Sequence, residues 1–241
     1  MTPKSHAIFA TVSTATVQMQ LMKRGLRRCS MRGVSALDAN GAARLLGEAY
    51  TLRFVPYRED RDPLARLGDD ENPARRAIED TPPGQVLVMD AREVRDCGTM
   101  GDILAMRLKV RGVSGVVTDG GVRDADAVRG VGLPIFCAGP AAPATPSAHI
   151  PVDAQVPIAC GGVAVFPGDV LMGDGDGVLV IPAELADEVA IGAAEQEGIE
   201  AFIFELVRAG RPVIGTYPPT DAIRAEYKRW LEAGRPPLAS H

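Results

Sequence analysis

Histidine is scarce in this chain, and the scarcity excludes several chemistries at once. Only His6, His149 and His241 occur, with no short ligand spacing among them. A Ser-His-Asp triad or a zinc site built on histidine is therefore not expected. The four cysteines, Cys29, Cys97, Cys137 and Cys160, form no C-x-x-C pair and read as reduced thiols rather than a disulfide framework. Any catalytic metal must then rely on oxygen ligands, which favours magnesium or manganese. No apolar run approaches the length that spans a bilayer, and no charged segment leads into an apolar leader, so a cytoplasmic protein without membrane association is expected. A formal net charge of −5, with both signs interspersed, gives no reason to expect a nucleic-acid partner. The phosphate-binding patterns G-x-x-x-x-G-K-[ST] and strand-linked G-x-G-x-x-G are also missing.

Apolar residues make up 46% of the 241, enough for one large core. A first helix is expected over 11–28, closed by the basic residues and glycine of Lys23-Arg24-Gly25. Residues 47–56 alternate as a half-exposed strand would. The charged stretch from Arg58 to Asp80 holds one short surface helix near Asn72–Ile78. From 84 to 138 the pattern is strand, helix, strand, helix, strand, which implies parallel βαβ units. The second helix of that run is expected over 124–129, stopped at Gly130. Short β-runs follow at 156–158, 162–166, 170–172 and 178–181. A long helix over 183–209 is stopped by Gly210. A last helix carrying Tyr227 and Trp230 has Thr220 or Asp221 as its cap. Residues 1–211 read as a single α/β domain. Residues 212–241 read as an extension with a short helix that packs on a neighbouring subunit.

Two strand-to-helix turns stand out. Gly101-Asp102-Ile103-Leu104 opens one helix, and Gly120-Gly121-Val122-Arg123-Asp124 leads into the next, with twenty residues between Asp102 and Arg123. On neighbouring parallel strands such turns meet at one sheet edge. The first-turn amides of Ile103 and Leu104 would then face an anion, and Arg123 would offer a planar fork for a carboxylate. Taken singly, Asp102 and Asp124 could merely cap helices. Together the two turns make a site able to stabilise an enolate with a metal ion. Gly173-Asp174-Gly175-Asp176-Gly177 invites a calcium reading, but Leu179 and Leu185 occupy the positions where an EF-hand needs glycine and glutamate, so it reads as a turn. Asp169 reads as ordering a turn as well.

These stretches, with Ser13-Thr14-Ala15-Thr16-Val17, Cys160-Gly161-Gly162-Val163 and Val165-Phe166-Pro167-Gly168-Asp169, resemble the RraA-like family over about residues 12–209. That family contains class II 4-hydroxy-4-methyl-2-oxoglutarate aldolases and regulators of ribonuclease E activity. The resemblance implies a swivelling β/β/α-type sandwich with parallel βαβ units, a β-rich second half and C-terminal helices. It also implies assembly as a homotrimer or homohexamer, with sites between subunits.

By that resemblance, Asp124 and Asp102 serve a magnesium or manganese ion, while Gly101, Asp102, Ile103, Leu104 and Arg123 bind a small 2-oxo acid. Arg123, Asp102 and Asp124 form the catalytic set, and a glutamate from the neighbouring subunit, Glu200 before Glu197, completes it. The implied activity is metal-dependent lyase cleavage of a 4-hydroxy-2-oxo acid to pyruvate and a second carbonyl compound, with oxaloacetate decarboxylase side activity. The regulators typically lack the full acidic set that is present here. A dehydratase or hydratase of a sugar-derived 2-oxo acid, and a non-catalytic regulator of ribonuclease activity, are the alternatives.

Overall fold

A computed structural model describes residues 1–38, 44–61 and 68–236. In chain order the helices are α1 (Pro3–Phe9), α2 (Thr14–Lys23), α3 (Pro73–Asp80), α4 (Asp102–Val110), α5 (Ala125–Val131), α6 (Ala186–Arg208) and α7 (Asp221–Glu232). The strands are β1 (Ser35–Ala36), β2 (Leu45–Pro56), β3 (Val86–Asp90), β4 (Gly115–Thr118), β5 (Gly121–Val122) and β6 (Ile135–Cys137). They continue as β7 (Gly139–Pro140), β8 (His149–Ala154), β9 (Ile158–Cys160), β10 (Val163–Val165), β11 (Val170–Asp174) and β12 (Gly177–Ile181).

The main sheet runs β1-β6-β4-β3-β2-β11-β12, with β8 also on β2. Its centre, β2-β3-β4-β6, is parallel, as the alternating strand and helix pattern implies. Every residue of β3 and β4 is buried, as expected of parallel strands covered on both faces. Just before β1 the chain turns back to β12, where Met31 N donates to Val178 O at 2.9 Å. The sheet is therefore nearly closed on itself.

One core cluster lies between the sheet and α3, α4 and α5. A second fills the inside of the curled sheet, and a third lies under α1, α2 and α6. Among the described residues no helix is long and apolar enough to cross a membrane.

Several boundaries differ from those expected. The helix anticipated over 11–28 is the shorter α2, and a further helix, α1, precedes it where none was expected. Ser13 Oγ accepts from Thr16 N at 3.1 Å and starts α2 afresh, while Thr2 caps a separate α1 with Pro3 in its first turn. Strand β2 is buried on both faces over Ala49–Leu52 rather than half-exposed throughout, and it is central in the sheet, with β11 beside its first half and β8 beside its second. Helix α5 runs past Gly130 to Val131 and stops at Gly132, whose φ of 70° supplies the left-handed cap. The β-run expected at 156–158 is β9, which begins at Ile158. Helix α6 begins at Ala186, after a short 3-10 turn over Ala183–Leu185.

The turn readings of the two acidic loops agree with the structure. Asp169 Oδ2 accepts from Phe166 N at 2.8 Å. Asp174 sits in the β11–β12 hairpin and accepts from the Thr14 amide and hydroxyl at 2.8 and 2.7 Å, tying the hairpin to α2. Thr220 is the cap of α7, accepting from Ile223 N at 3.4 Å. Helix α7 packs on α6 of its own chain, where Ile223, Tyr227 and Trp230 meet Phe202, Ile203 and Leu206. Residues 62–67 of the charged stretch and 237–241 of the extension lie outside the described residues.

Candidate active site

Residues 97–100 and 120–123 lie side by side beyond the ends of β3 and β4. Gly121 N donates to Cys97 O, Thr99 N to Gly121 O and Arg123 N to Met100 O, each at 2.9 Å. This short parallel ladder carries the chain on each side into a helix, α4 from one and α5 from the other. Asp102 and the Arg123-Asp124 pair are thereby brought to one place, although twenty residues separate them in sequence.

The backbone leaves the Asp124 carboxylate unused by its own helix. Asp124 stands at the N-cap position of α5 with φ 53° and ψ 39°, and its side chain makes no capping bond. A left-handed non-glycine residue stores roughly 1 kcal/mol of strain. It turns the carboxylate toward α4, so that a Cβ on Gly101 would lie 2.7 Å from Asp124 Oδ2. Gly101 thus forms a notch that a side chain would fill.

Asp102 is the first residue of α4 rather than its cap, and its Oδ1 accepts from Ile103 N at 2.8 Å. The helical ladder begins with Ala105 N donating to Gly101 O at 3.1 Å. The amides of Asp102, Ile103 and Leu104 lie before it, at the positive end of the helix dipole, that of Ile103 being taken up by Asp102 rather than left for an anion.

Arg123 and Asp124 are exposed. Among the described residues neither side chain takes part in a hydrogen bond or an ion pair. A free guanidinium beside a free carboxylate is an arrangement suited to external ligands. The open cleft at this point has a volume of about 340 Å³. Chemistry rather than size singles it out, since clefts of about 480 and 500 Å³ open elsewhere.

Beneath the turn, Asp119 is buried and accepts from Ala91 N at 2.7 Å and Gly161 N at 3.2 Å. Burial pushes its carboxyl above the ordinary range, against the pull of those amides. Its work is to hold the 91–93 loop and the β9–β10 turn against the site. Nothing in the sequence assigns Asp119 this role. The only signal was a polar residue directly after an apolar strand, which many strand ends share.

The opposite wall of the cleft, Pro140-Ala141-Ala142, also escaped the sequence reading. It is placed by β7, a two-residue strand pairing parallel with β5, and no periodicity marks so short an element.

Glu197 and Glu200 both lie on α6. Glu197 accepts from the amide and hydroxyl of Ser13 at 3.0 and 3.1 Å. Burial opposes its charge, but the Ser13 and Thr16 donors outweigh that and hold it below the ordinary glutamate range. Glu200 accepts from Gln196 Nε2 at 2.9 Å. Among the described residues no hydrogen bond or ion pair joins either glutamate to Asp102, Arg123 or Asp124. Nor do three or more histidine, cysteine or acidic side chains gather as a metal cage there. What the cleft offers within one chain is the free Asp124 carboxylate over the Gly101 notch; Asp102 follows that glycine at the start of α4 but does not line the cleft. That donor set fits a hydrated hard cation, which takes one or two carboxylates and keeps its waters.

A family model described as RraA-like, Aldolase/RraA, matches residues 10–180. A relative from Halalkalibacterium halodurans, provisionally named a 4-hydroxy-4-methyl-2-oxoglutarate aldolase, is 37% identical over 56% of this chain. The chain spans 66% of that relative's length. The 4-hydroxy-4-methyl-2-oxoglutarate aldolase of Thermus thermophilus is 30% identical over 59% of this chain and 78% of its own. Among solved structures, Streptomyces coelicolor RraAS2, described as an unusual member of the RNase ES inhibitor RraA protein family, superposes with a TM-score of 0.73. It is 35% identical, over 84% of this chain and 96% of its own.

Proposed function

Since this chain belongs to the RraA-like family, we propose that it is a divalent-metal-dependent carbon–carbon lyase that cleaves a 4-hydroxy-2-oxo acid into pyruvate and a second carbonyl compound. The observation that carries the reading is the free Asp124 carboxylate, turned over the Gly101 notch beside the free Arg123 guanidinium. The aldolase names of its relatives support the same chemistry.

In the reaction the C3–C4 bond breaks, the 4-hydroxyl gives up its proton, and the bonding pair becomes the enolate of pyruvate, which is then protonated at C3. Arg123 binds the substrate carboxylate through its planar fork, and the first-turn amides of α4 add the partial positive charge of a helix N-terminus. Asp102 holds the water that accepts the hydroxyl proton, because no histidine stands near. Asp124, with Asp102, would hold magnesium or manganese, which when bound supplies Lewis-acid stabilisation of the enolate oxygen. Loss of carbon dioxide from oxaloacetate passes through the same enolate, so decarboxylase activity should accompany cleavage. Sites shared between subunits of a homotrimer or homohexamer, with Glu200 or Glu197 donated by a neighbour, belong to this proposal.

The test is a panel of 4-hydroxy-2-oxo acids and oxaloacetate, with and without magnesium, followed by pyruvate release. Metal-dependent pyruvate is expected. Loss of water without carbon–carbon cleavage would instead identify a dehydratase. The likeness to RraAS2 favours one further reading, a non-catalytic inhibitor of a ribonuclease. Slowed RNA cleavage by a ribonuclease E-type enzyme, with no turnover of any acid in the panel, would select it.

A further inference from the structure

We propose that the groove beside Glu200 is the other half of the active site, laid over the Arg123-Asp124 cleft of the next subunit, and that Arg224 in this groove binds a second carboxylate at the far end of the 2-oxo acid. The proposal rests on the lyase reading with sites shared between subunits, and it names the residue that sets the specificity of such a site.

The groove has a volume of about 370 Å³ and lies between α2, α6 and the segment that leads into α7. Met19, Ile199, Tyr217 and Pro218 give it apolar walls. Its charged residues differ in what they leave for a ligand. Lys23 Nζ lies 2.9 Å from Gln196 Oε1, and Arg24 Nε donates to Glu188 at 2.9 Å. Arg224 and Glu195 are exposed, and among the described residues neither side chain takes part in a hydrogen bond or an ion pair. Arg224 is nonetheless on a fixed support. Thr220 caps α7, and Ile223, one residue earlier, is buried against Ile199 and Phe202 of α6. Glu200 borders the same groove, whereas Glu197 is spent on Ser13.

Each half-site is bordered by an apolar face with nothing over it. The side of α4 that begins next to Asp102 exposes Ile103, Met106 and Val110, at a spacing that places them along one stripe, with Ile103 79% and Val110 70% exposed. Beside the groove, Met19 and Met22 of α2 are exposed one turn apart, and so is Tyr217. Covering both faces against each other removes apolar surface from water. The two faces are different surfaces, so a contact between them runs head to tail and closes as a ring, as in a homotrimer. The free charges are complementary too, with Arg123 and Asp124 on one side and Glu195 and Arg224 on the other. Glu200 then stands over the cleft, as the shared site requires. Arg123 takes the C1 carboxylate, and the guanidinium of Arg224 offers the same planar fork to a carboxylate at the other end.

The pair 2-oxoglutarate and 2-oxopentanoate tests the role of Arg224, because the two differ only in a carboxylate against a methyl at C5. Binding to the full chain is measured by calorimetry with magnesium at fixed ionic strength. 2-Oxoglutarate should bind at least about tenfold more tightly. Arg224→Gln should abolish that preference, and Arg224→Lys should keep part of it. Chains carrying Arg123→Lys, co-expressed with chains carrying Arg224→Gln, should regain tight 2-oxoglutarate binding in a fraction of sites, since one subunit supplies the cleft and its neighbour the groove. Neither variant should show it alone. Equal binding of the two acids by the native protein, binding of neither, or a preference that survives Arg224→Gln overturns the proposal. So does a monomer by light scattering, or an absence of recovery in the mixed assembly. If preference and recovery hold while no 4-hydroxy-2-oxo acid yields pyruvate, the shared groove stands and the lyase reading falls.

Discussion

Arg123 and Asp124 are neighbours in sequence with opposite charges, yet they do not pair. The left-handed backbone at Asp124 sends its carboxylate toward Gly101, while the guanidinium stays on the open side of the turn. Strain held at one residue, with its functional group left free, is a pattern of binding sites. Asn tolerates the left-handed region as Asp does, so Asp124→Asn should leave the melting temperature nearly unchanged. It should lower metal-dependent kcat/KM by on the order of a hundredfold; pyruvate release at the native rate would remove Asp124 from the mechanism. Arg123→Lys keeps the charge and loses the fork, and a fall of about tenfold or more in kcat/KM is expected. Steady-state kinetics with added guanidinium ion, which restores part of the missing fork, would separate this effect from misfolding.

At the scale of elements, the site is made by backbone pairing between segments too short to show a period. The ladder 97–100 against 120–123, and β5 against β7, need glycine where the strands close in. Gly101 is the informative case, because its φ of −129° suits any residue and only the space above it is special. Gly101→Ala should therefore fold normally and displace the Asp124 carboxylate by a few tenths of an ångström. A loss of activity of about tenfold with an unchanged melting curve is expected, and full activity would show the notch to be unimportant. Helix starts were legible where a capping residue and a proline or apolar stripe coincide, as at Asn72 and Thr220. The start of α2 was placed at 11 rather than 14, because Val12 puts an apolar residue ahead of the Ser13 cap.

For the whole molecule, one buried group links stability to pH. His149 on β8 has no solvent exposure, packs against Phe54 and has its Nδ1 3.2 Å from Arg92 Nη2. Burial first, and the Arg92 charge second, lower its pKa to about 4. The folded state thus resists a proton that the unfolded chain takes up near 6.5. Stability from this group is complete above about pH 6.5 and is lost as pH falls through that value toward 4, on the order of 3 kcal/mol in all. Denaturant titrations at pH 7 and pH 4.5 should show the loss in the native protein and a smaller one in His149→Leu. An equal loss in both would assign acid sensitivity to the carboxylates instead.

Composition and local pattern alone determined the class of this protein. Apolar runs divided by helices implied a parallel sheet, and glycine and aspartate at two strand ends marked the turns. Those are consequences of residue chemistry and of spacing within about a dozen residues. Only the tertiary structure decided that β2 is covered along both halves, that Asp119 is buried beneath the turn, and that Pro140–Ala142 faces Arg123. Each depends on pairing between segments far apart in the chain, whose register is set by which backbone groups find partners when the sheet closes.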